Sequence, residues 1–363
     1  MNFFGNIGRK LKNRFSTPLF IQPNDTNLRV KLVAIAKNEA AYLPDWIFHH
    51  LFFGFSELVI YVNNSYDNSW KLKELLTKNT QVRIEDGDNY FQQTKRSPQN
   101  LIYEIEMSHA KKQGFSHVMF LDIDEYFTTT CLSAHINDVV AFIDADVCCF
   151  EWVLKLKEEK IFSAPFCDAL IHHKRARQVK SLVKTDLKIK QFNPHNVYSE
   201  RANYRLADKT TFKVTSPLSM SLVPAEELLK PLKDYFVLHR ILRHEVEYIA
   251  SLTRGRPIPG SQKNSIFKDN RGGILSDENA ETLSIPQDAI ENYQRQREIF
   301  FQKYTLNSFL EEAQQSVIER YNEAIQKIQN APIEESDTLK KILRNVTDKG
   351  VIDAYNEFKM QHK

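Results

Sequence analysis

The sequence predicts an α/β protein: a doubly wound, mostly parallel sheet followed by a helical C-terminal extension. Three observations predict it. Short apolar runs alternate with amphipathic helical stretches from residue 30 to residue 127, the order that marks parallel sheets. Polar residues cluster just after each apolar run, at the carboxyl ends of strands where such sheets collect ligands. From about Pro286 onward helical spacing dominates, as in Phe309-Leu310, Ala313, Val317-Ile318, Tyr321 and Ala324-Ile325.

Val30 to Ala36 reads as a first buried strand, which Lys37-Asn38-Glu39 interrupts with polar groups. A helix starts near Pro44, a good first-turn residue, and carries Trp46, Ile47, Leu51 and Phe52 to a stop at Gly54. Leu58 to Val62 is a second strand, followed by the polar loop Asn63 to Ser69. Trp70 to Leu76 is a helix, and Val82-Arg83-Ile84 a short strand that leads into Glu85 to Asp88. Ser97-Pro98 is a cap and first turn for a helix through Ala110, ended by Gly114.

The next run, His117 to Phe127, begins apolar and ends in acid at Asp122, Asp124 and Glu125. In an extended chain, alternate residues share a face, which puts Asp122 and Asp124 together and Ile123 opposite. Two carboxylates about 4 Å apart repel by roughly 1 kcal/mol in water and about 4 kcal/mol at an effective dielectric near 20. A cation between them relieves this, and oxygen ligands with open positions suit Mg²⁺ or Mn²⁺. The plainer alternative is a solvated strand end.

The second half is less regular. Val147 to Leu154 and Phe236 to Arg240 read as strands, and Glu245 to Thr253 as a helix stopped at Gly255. These shifts divide the chain into an N-terminal segment and linker (1–27), a ligand-binding half (28–130), a second half (131–280) and a helical region (281–363).

Composition narrows the function. The 363 residues are 42% hydrophobic and 26% charged, globular values, and the net charge of +3 is too small to call for a polyanionic partner. The basic run Lys174, Arg175, Arg177, Lys180, Lys184, Lys188 and Lys190 lacks the interleaved aromatics of a nucleic-acid site. A solvated face, an acidic glycan and an anionic membrane remain its open readings, and nucleic acid is not predicted as a partner. No GxGxxG or GxxxxGK[ST] occurs, which argues against a dinucleotide dehydrogenase or a P-loop NTPase. The pairs His49-His50 and His172-His173 cannot share a face and are read as helix-surface and loop residues. Four cysteines show no CxxC, and adjacent Cys148 and Cys149 would point to opposite faces of a strand. Reduced thiols in a cytoplasmic protein are expected. No stretch approaches the roughly 20 apolar residues of a membrane span. Phe3, Phe4, Ile7, Leu11 and Phe15, with Arg9, Lys10, Lys12 and Arg14 between, form a basic amphipathic pattern. It either rests on an anionic membrane, such as the inner face of the plasma membrane, or docks on the protein's own body.

Val33 to Glu39, Asp45-Trp46-Ile47-Phe48-His49-His50, Ile60 to Asp67 and Phe120-Leu121-Asp122-Ile123-Asp124-Glu125-Tyr126-Phe127 together resemble the family 2-like glycosyltransferases with a GT-A, Rossmann-like fold. The branch they look most like has an Asp-x-Asp-Glu-Phe metal motif. The resemblance covers residues 30 to 130 well. It continues weakly through Trp152, Val179 to Lys184, Asn193-Pro194-His195, Leu238-His239-Arg240 and Arg254-Gly255. It implies a metal-dependent transfer of sugar from a nucleotide-sugar donor to a glycan or glycolipid acceptor of the cell envelope. Asp122 and Asp124 would hold the cation, Mn²⁺ or Mg²⁺, against the donor diphosphate, with Asp124 the direct ligand. His239 falls where many such enzymes add a histidine ligand; a satisfied core histidine is the other reading. Ala36, Glu39 and Asn64 belong near the nucleoside, and Arg96 and Gln99 near the phosphates or sugar. Where the family carries Asp, this chain has Val62, which cannot accept a hydrogen bond; Asp86 or Asp88 is the expected substitute. UDP is the expected nucleotide. The inverting reaction common in the family needs a carboxylate base. Glu151, Asp168 and Glu200 are the candidates, with Glu200 preferred for its distance beyond Asp124.

Overall fold

Alternate residues of a strand point to opposite faces, and the first strand, β1 (Val30–Ala36), is buried on both. Val30, Leu32, Ala34 and Ala36 enter one apolar cluster and Val33 another. The sheet is thus a middle layer with covered faces. The structure is a computed structural model. It describes residues 20–22, 24, 28–93, 97–253 and 265–362, without the side chains of 92 and 93. The basic segment at 3–15, Arg96 and Arg254-Gly255 lie outside the described residues.

After β1 come α1 (Leu43–Phe52), β2 (Glu57–Val62), α2 (Lys71–Leu75), β3 (Val82–Asp86), α3 (Asp88–Gln93), α4 (Pro98–Lys112) and β4 (His117–Phe120). The second half brings β5 (Glu125–Thr129), α5 (Ile136–Ile143), β6 (Val147–Lys155), β7 (Leu170–Lys184), β8 (Gln191–Phe192), β9 (Val197–Tyr198), β10 (Tyr204–Leu206) and β11 (Tyr235–His239). Then follow α6 (Glu245–Leu252), β12 (Glu281–Ser284), α7 (Gln287–Lys303), α8 (Leu306–Gln329), α9 (Ser336–Ile342) and α10 (Lys349–Gln361). The main sheet runs β3-β2-β1-β4-β7-β6-β11-β5, with β10 beside β6 and β12 beside β7. Its first four strands are parallel. β7 then pairs antiparallel with both β4 and β6, and β11 runs parallel to β6. The fold is therefore the expected α/β type, mostly parallel, with antiparallel pairings where the second half joins the first and within it.

The acidic run departs from expectation. It is not one extended strand: β4 ends at Phe120, the chain turns through Ile123 and Asp124, and β5 starts at Glu125. Polar contacts impose the turn. The Glu125 amide donates to the Asp122 carbonyl (3.0 Å), and the Asp122 amide donates to the Glu125 carboxylate (2.9 Å). The indole N–H of buried Trp46, from α1, lies 3.1 Å from the Asp122 carbonyl and 3.0 Å from that of Glu125.

His49 and His50, expected on a helix surface, are fully buried because α1 is sandwiched between the sheet and α7. His49 meets the Tyr293 hydroxyl (3.0 Å) and the Phe127 carbonyl (2.6 Å), while His50 meets the Trp46 carbonyl (2.8 Å). Burial pushes His49 down to about 3 and lowers His50 as well. Cys148 and Cys149 do enter opposite clusters, and all four cysteines are free thiols. The basic run is divided. Lys180 and Arg175 point inward to carboxylates, Lys190 pairs with Glu200, and Lys188 is exposed.

The C-terminal helices complete the core. Phe300, Phe301, Leu306, Phe309, Leu310, Ala313 and Val317 join the cluster under β1. Farther along, Ala324 and Ile328 of α8 pack with Ile249, Leu252, Leu339, Ile342 and Phe358. Among the described residues, no helix is long and apolar enough to cross a membrane.

Candidate active site

Strand direction brings the polar loops together. β1 and β4 are parallel neighbours, with Val33 opposite Phe120, so Lys37-Asn38-Glu39 and Asp122 to Asp124 leave the same sheet edge. β11 ends at that edge too, with His239 opposite Glu125. Between them lies a cleft of about 570 Å³ whose lining includes Lys37, Glu39, Gln99, Asp122, Asp124, Trp152, His195, His239, Lys268 and Arg271.

Asp124 is the centre of the charge arrangement. Its Oδ2 lies 3.3 Å from His239 Nε2 and 3.4 Å from Arg271 Nη2. The backbone N–H of Arg240 donates to its carbonyl at 2.7 Å. Burial would raise this carboxyl, but His239, Arg271 and Arg243 hold it well below the usual carboxylate range. Burial lowers His239, with Asp124 pulling the other way. The His239 ring stacks on Trp152, with centroids 4.2 Å apart and planes at 19°. Its Nδ1 is buried and has no hydrogen-bond partner among the described residues.

Asp122 is turned elsewhere. Its side chain is 47% exposed, and Oδ2 lies 3.4 Å from Lys180 Nζ. Lys180 is buried and also meets Glu125 (2.8 Å) and the Pro194 carbonyl (3.0 Å). Burial works against its charge, and Asp122 and Glu125 outweigh that, holding the ammonium above its ordinary range. Trp152 donates its indole N–H to Glu125 at 2.9 Å. Glu125 and Lys180 therefore brace the acidic turn from behind.

A carboxylate oxygen and an imidazole nitrogen converging at Asp124 and His239 form a donor set that suits Mn²⁺. Among the described residues, no group of three or more His, Cys, Asp or Glu side chains is placed to hold an ion by itself. A hard cation held by one or two protein donors completes its sphere with water and substrate phosphates. Two donors at the floor of an open cleft fit that type of site.

The other predicted residues divide. Glu39 lines the cleft, with Arg243 Nη2 3.5 Å from its Oε2 and the Arg243 guanidinium 3.5 Å above the Tyr42 ring. Gln99 lines it and donates to the Tyr103 hydroxyl at 2.7 Å. Ala36 is buried just behind, its carbonyl accepting the Asn63 amide at 3.0 Å. Asn64 and Asp88 pair with each other outside the lining, the Asn64 amide donating to Asp88 at 2.6 Å. None of the candidate bases lines the cleft. Glu200 is 55% exposed and pairs with Lys190, because the turn after β9 carries it to the surface. Glu151 is buried between Arg175 (2.7 Å) and Lys233 (3.2 Å). Asp168 accepts from the Cys167 thiol in a loop.

Sequence reasoning missed Arg271, Lys268 and Arg243 as parts of this site and placed Lys180 in a basic run read as a solvated face or as a contact for an acidic glycan or membrane. The sequence signal for Arg271 is faint: a cation in the turn Asn270-Arg271-Gly272-Gly273.

No protein-family profile and no curated protein matches the chain. Among solved structures, S. aureus TarS 1–349 in complex with UDP aligns over 92% of each chain, at 13% identity and a TM-score of 0.29. HddC from Yersinia pseudotuberculosis aligns over 58% of this chain and 92% of its own, at 11% identity and a TM-score of 0.29. Another S. aureus TarS structure matches at 13% identity and a TM-score of 0.27 over 44% of this chain, which spans only 28% of that one. Likeness at this level carries no functional argument.

Proposed function

We propose that the protein is a metal-dependent glycosyltransferase. It would move a sugar, with inversion, from a nucleotide-sugar donor, UDP-linked by preference, to a cell-envelope glycan such as lipopolysaccharide, lipooligosaccharide or capsule. One observation supports this above the others: the Asp124 carboxylate and His239 imidazole meet in a cleft that Lys268 and Arg271 also line, with Arg271 in contact with Asp124. A diphosphate in this cleft would share a cation with the acidic turn and meet the cationic side chains of the neighbouring turn. When bound, Mn²⁺ or Mg²⁺ would neutralise the charge that develops on the departing nucleoside diphosphate.

The chain's own residues set the geometry. Trp46 and the Arg240 amide fix the backbone of the acidic turn, Trp152 holds the His239 ring, and Arg243 orients Glu39 toward the donor side. Because Glu200 stands outside the lining, the general base is to be sought among groups that face the cleft. Peripheral attachment to the inner face of the plasma membrane through the basic N-terminal segment belongs to the same reading.

Incubating the full chain with a panel of UDP-sugars and Mn²⁺ should release UDP, slowly into water alone and faster with acceptor glycan. Asp124→Ala should abolish release while the melting temperature stays near that of the parent. Pyrophosphate formed from a nucleoside triphosphate and a sugar 1-phosphate, with no UDP released from the UDP-sugars, would point instead to nucleotidyl transfer. A folded protein with no metal-dependent binding of any nucleotide would be a scaffold, and the proposal would be withdrawn.

A further inference from the structure

The buried arginine–carboxylate pairs of this molecule differ in quality. Arg240 grips Glu158 with two N–H groups at 2.7 and 2.5 Å, and Arg297 likewise takes both oxygens of Asp45. Settled pairs of this kind are bidentate and short. Arg271 touches Asp124 through one nitrogen at 3.4 Å, while its buried Nε–H finds no acceptor among the described residues. A guanidinium has five donors in a fixed fork, so this one is under-satisfied where it sits. It also rests on Oδ2, the same oxygen that faces His239.

The backbone around Arg271 is anchored on both sides. Lys268 donates to the Leu252 carbonyl (2.8 Å), Gly273 to the Tyr248 hydroxyl (3.2 Å) and Ile274 to the Arg344 carbonyl (2.9 Å). Movement here is thus a matter of the side chain and not of the turn.

We propose that Arg271 is the counter-ion of Asp124 in the metal-free protein and that a divalent cation and this guanidinium compete for the same carboxylate oxygen. Entry of the ion releases the Arg271 fork, whose open donors then take diphosphate oxygens of the donor. The exchange spares the cleft an unpaired aspartate before metal binds and supplies a phosphate ligand after it does. The inference rests on reading the cleft as a metal-dependent nucleotide-sugar site.

The test uses the full-length, metal-stripped protein and two titrations, Mn²⁺ alone and then UDP at saturating Mn²⁺. Removing a positive charge beside the ion should let Arg271→Gln bind Mn²⁺ about tenfold more tightly than the parent, and UDP about tenfold more weakly. Arg271→Lys, which keeps the charge, should bind Mn²⁺ like the parent and controls for folding. Unchanged or weaker Mn²⁺ binding by Arg271→Gln, with UDP binding still metal-dependent in the parent, overturns the exchange and leaves the proposed function standing. If the parent binds neither Mn²⁺ nor UDP, the proposed function falls and takes the exchange with it.

Discussion

A single indole shows how the site is held. Trp46 donates to carbonyls at both ends of the acidic turn from inside the core. In Trp46→Phe those two carbonyls lose a buried donor, a cost of about 2 kcal/mol. The melting temperature should drop and metal-dependent UDP binding should weaken, although no residue facing the cleft has changed; calorimetry and a nucleotide titration check both. Glu158 is one of the carboxylates through which acid weakens the fold. Burial alone would raise its pKa, but Arg240 and Lys155 bring it down from 4.5 to about 2. A depressed carboxyl contributes stability that is complete above its unfolded value and lost as pH falls through the folded one. The contribution, on the order of 3 kcal/mol, should disappear between about pH 4.5 and pH 2. Urea denaturation across that window should show the loss in the parent and a flatter profile in Glu158→Gln. At this scale the sequence was legible where chemistry is written in neighbouring letters, as in Asp122-Ile123-Asp124-Glu125. It was not legible where partners lie far apart, as with Arg271 and Asp124.

Among elements, the acidic turn and β7 depend on each other. Lys180 from the middle of β7 lies between Asp122 and Glu125, so Lys180→Met would leave a buried glutamate without its cation. Burial pushes Glu125 up to about 8, so at neutral pH it takes up a proton once Lys180 is gone. Chemical denaturation should register a loss smaller than the roughly 3–5 kcal/mol of a broken buried ion pair, and the double change Lys180→Met with Glu125→Gln should recover part of it. The succession of strands and helices along the first half was readable because each apolar run there is bounded by glycine, proline or polar clusters. Two features resisted. The break between β4 and β5 is imposed by Trp46 and Glu125 and leaves no glycine or proline to mark it. In β7, alternation and a register shift between Glu151 and Trp152 of its partner β6 send basic residues of one run to different destinations.

For the molecule as a whole, the helical region is part of the core and not an appendage. The apolar cluster beneath β1 includes Phe300, Phe301, Leu306, Phe309 and Val317. A chain cut after residue 285 would expose that surface, and exposed apolar area of this kind drives aggregation. The truncated form should be insoluble or lack a cooperative melt, as light scattering and circular dichroism would show. Helical periodicity announced these helices, but not that their inner faces would cover the same sheet as α1, since spacing says which residues are apolar and not what they meet. The turn that carries Arg271 extends this dependence into the site. Gly273 there has a φ of +87°, and a side-chain carbon added to it would come within 2.4 Å of the Arg344 carbonyl. The chemistry of the cleft is in this way mechanically wired to the tail: a fusion, a proteolytic nick or a binding protein that tugs at the last two helices would retune the grip on substrate without ever entering the pocket.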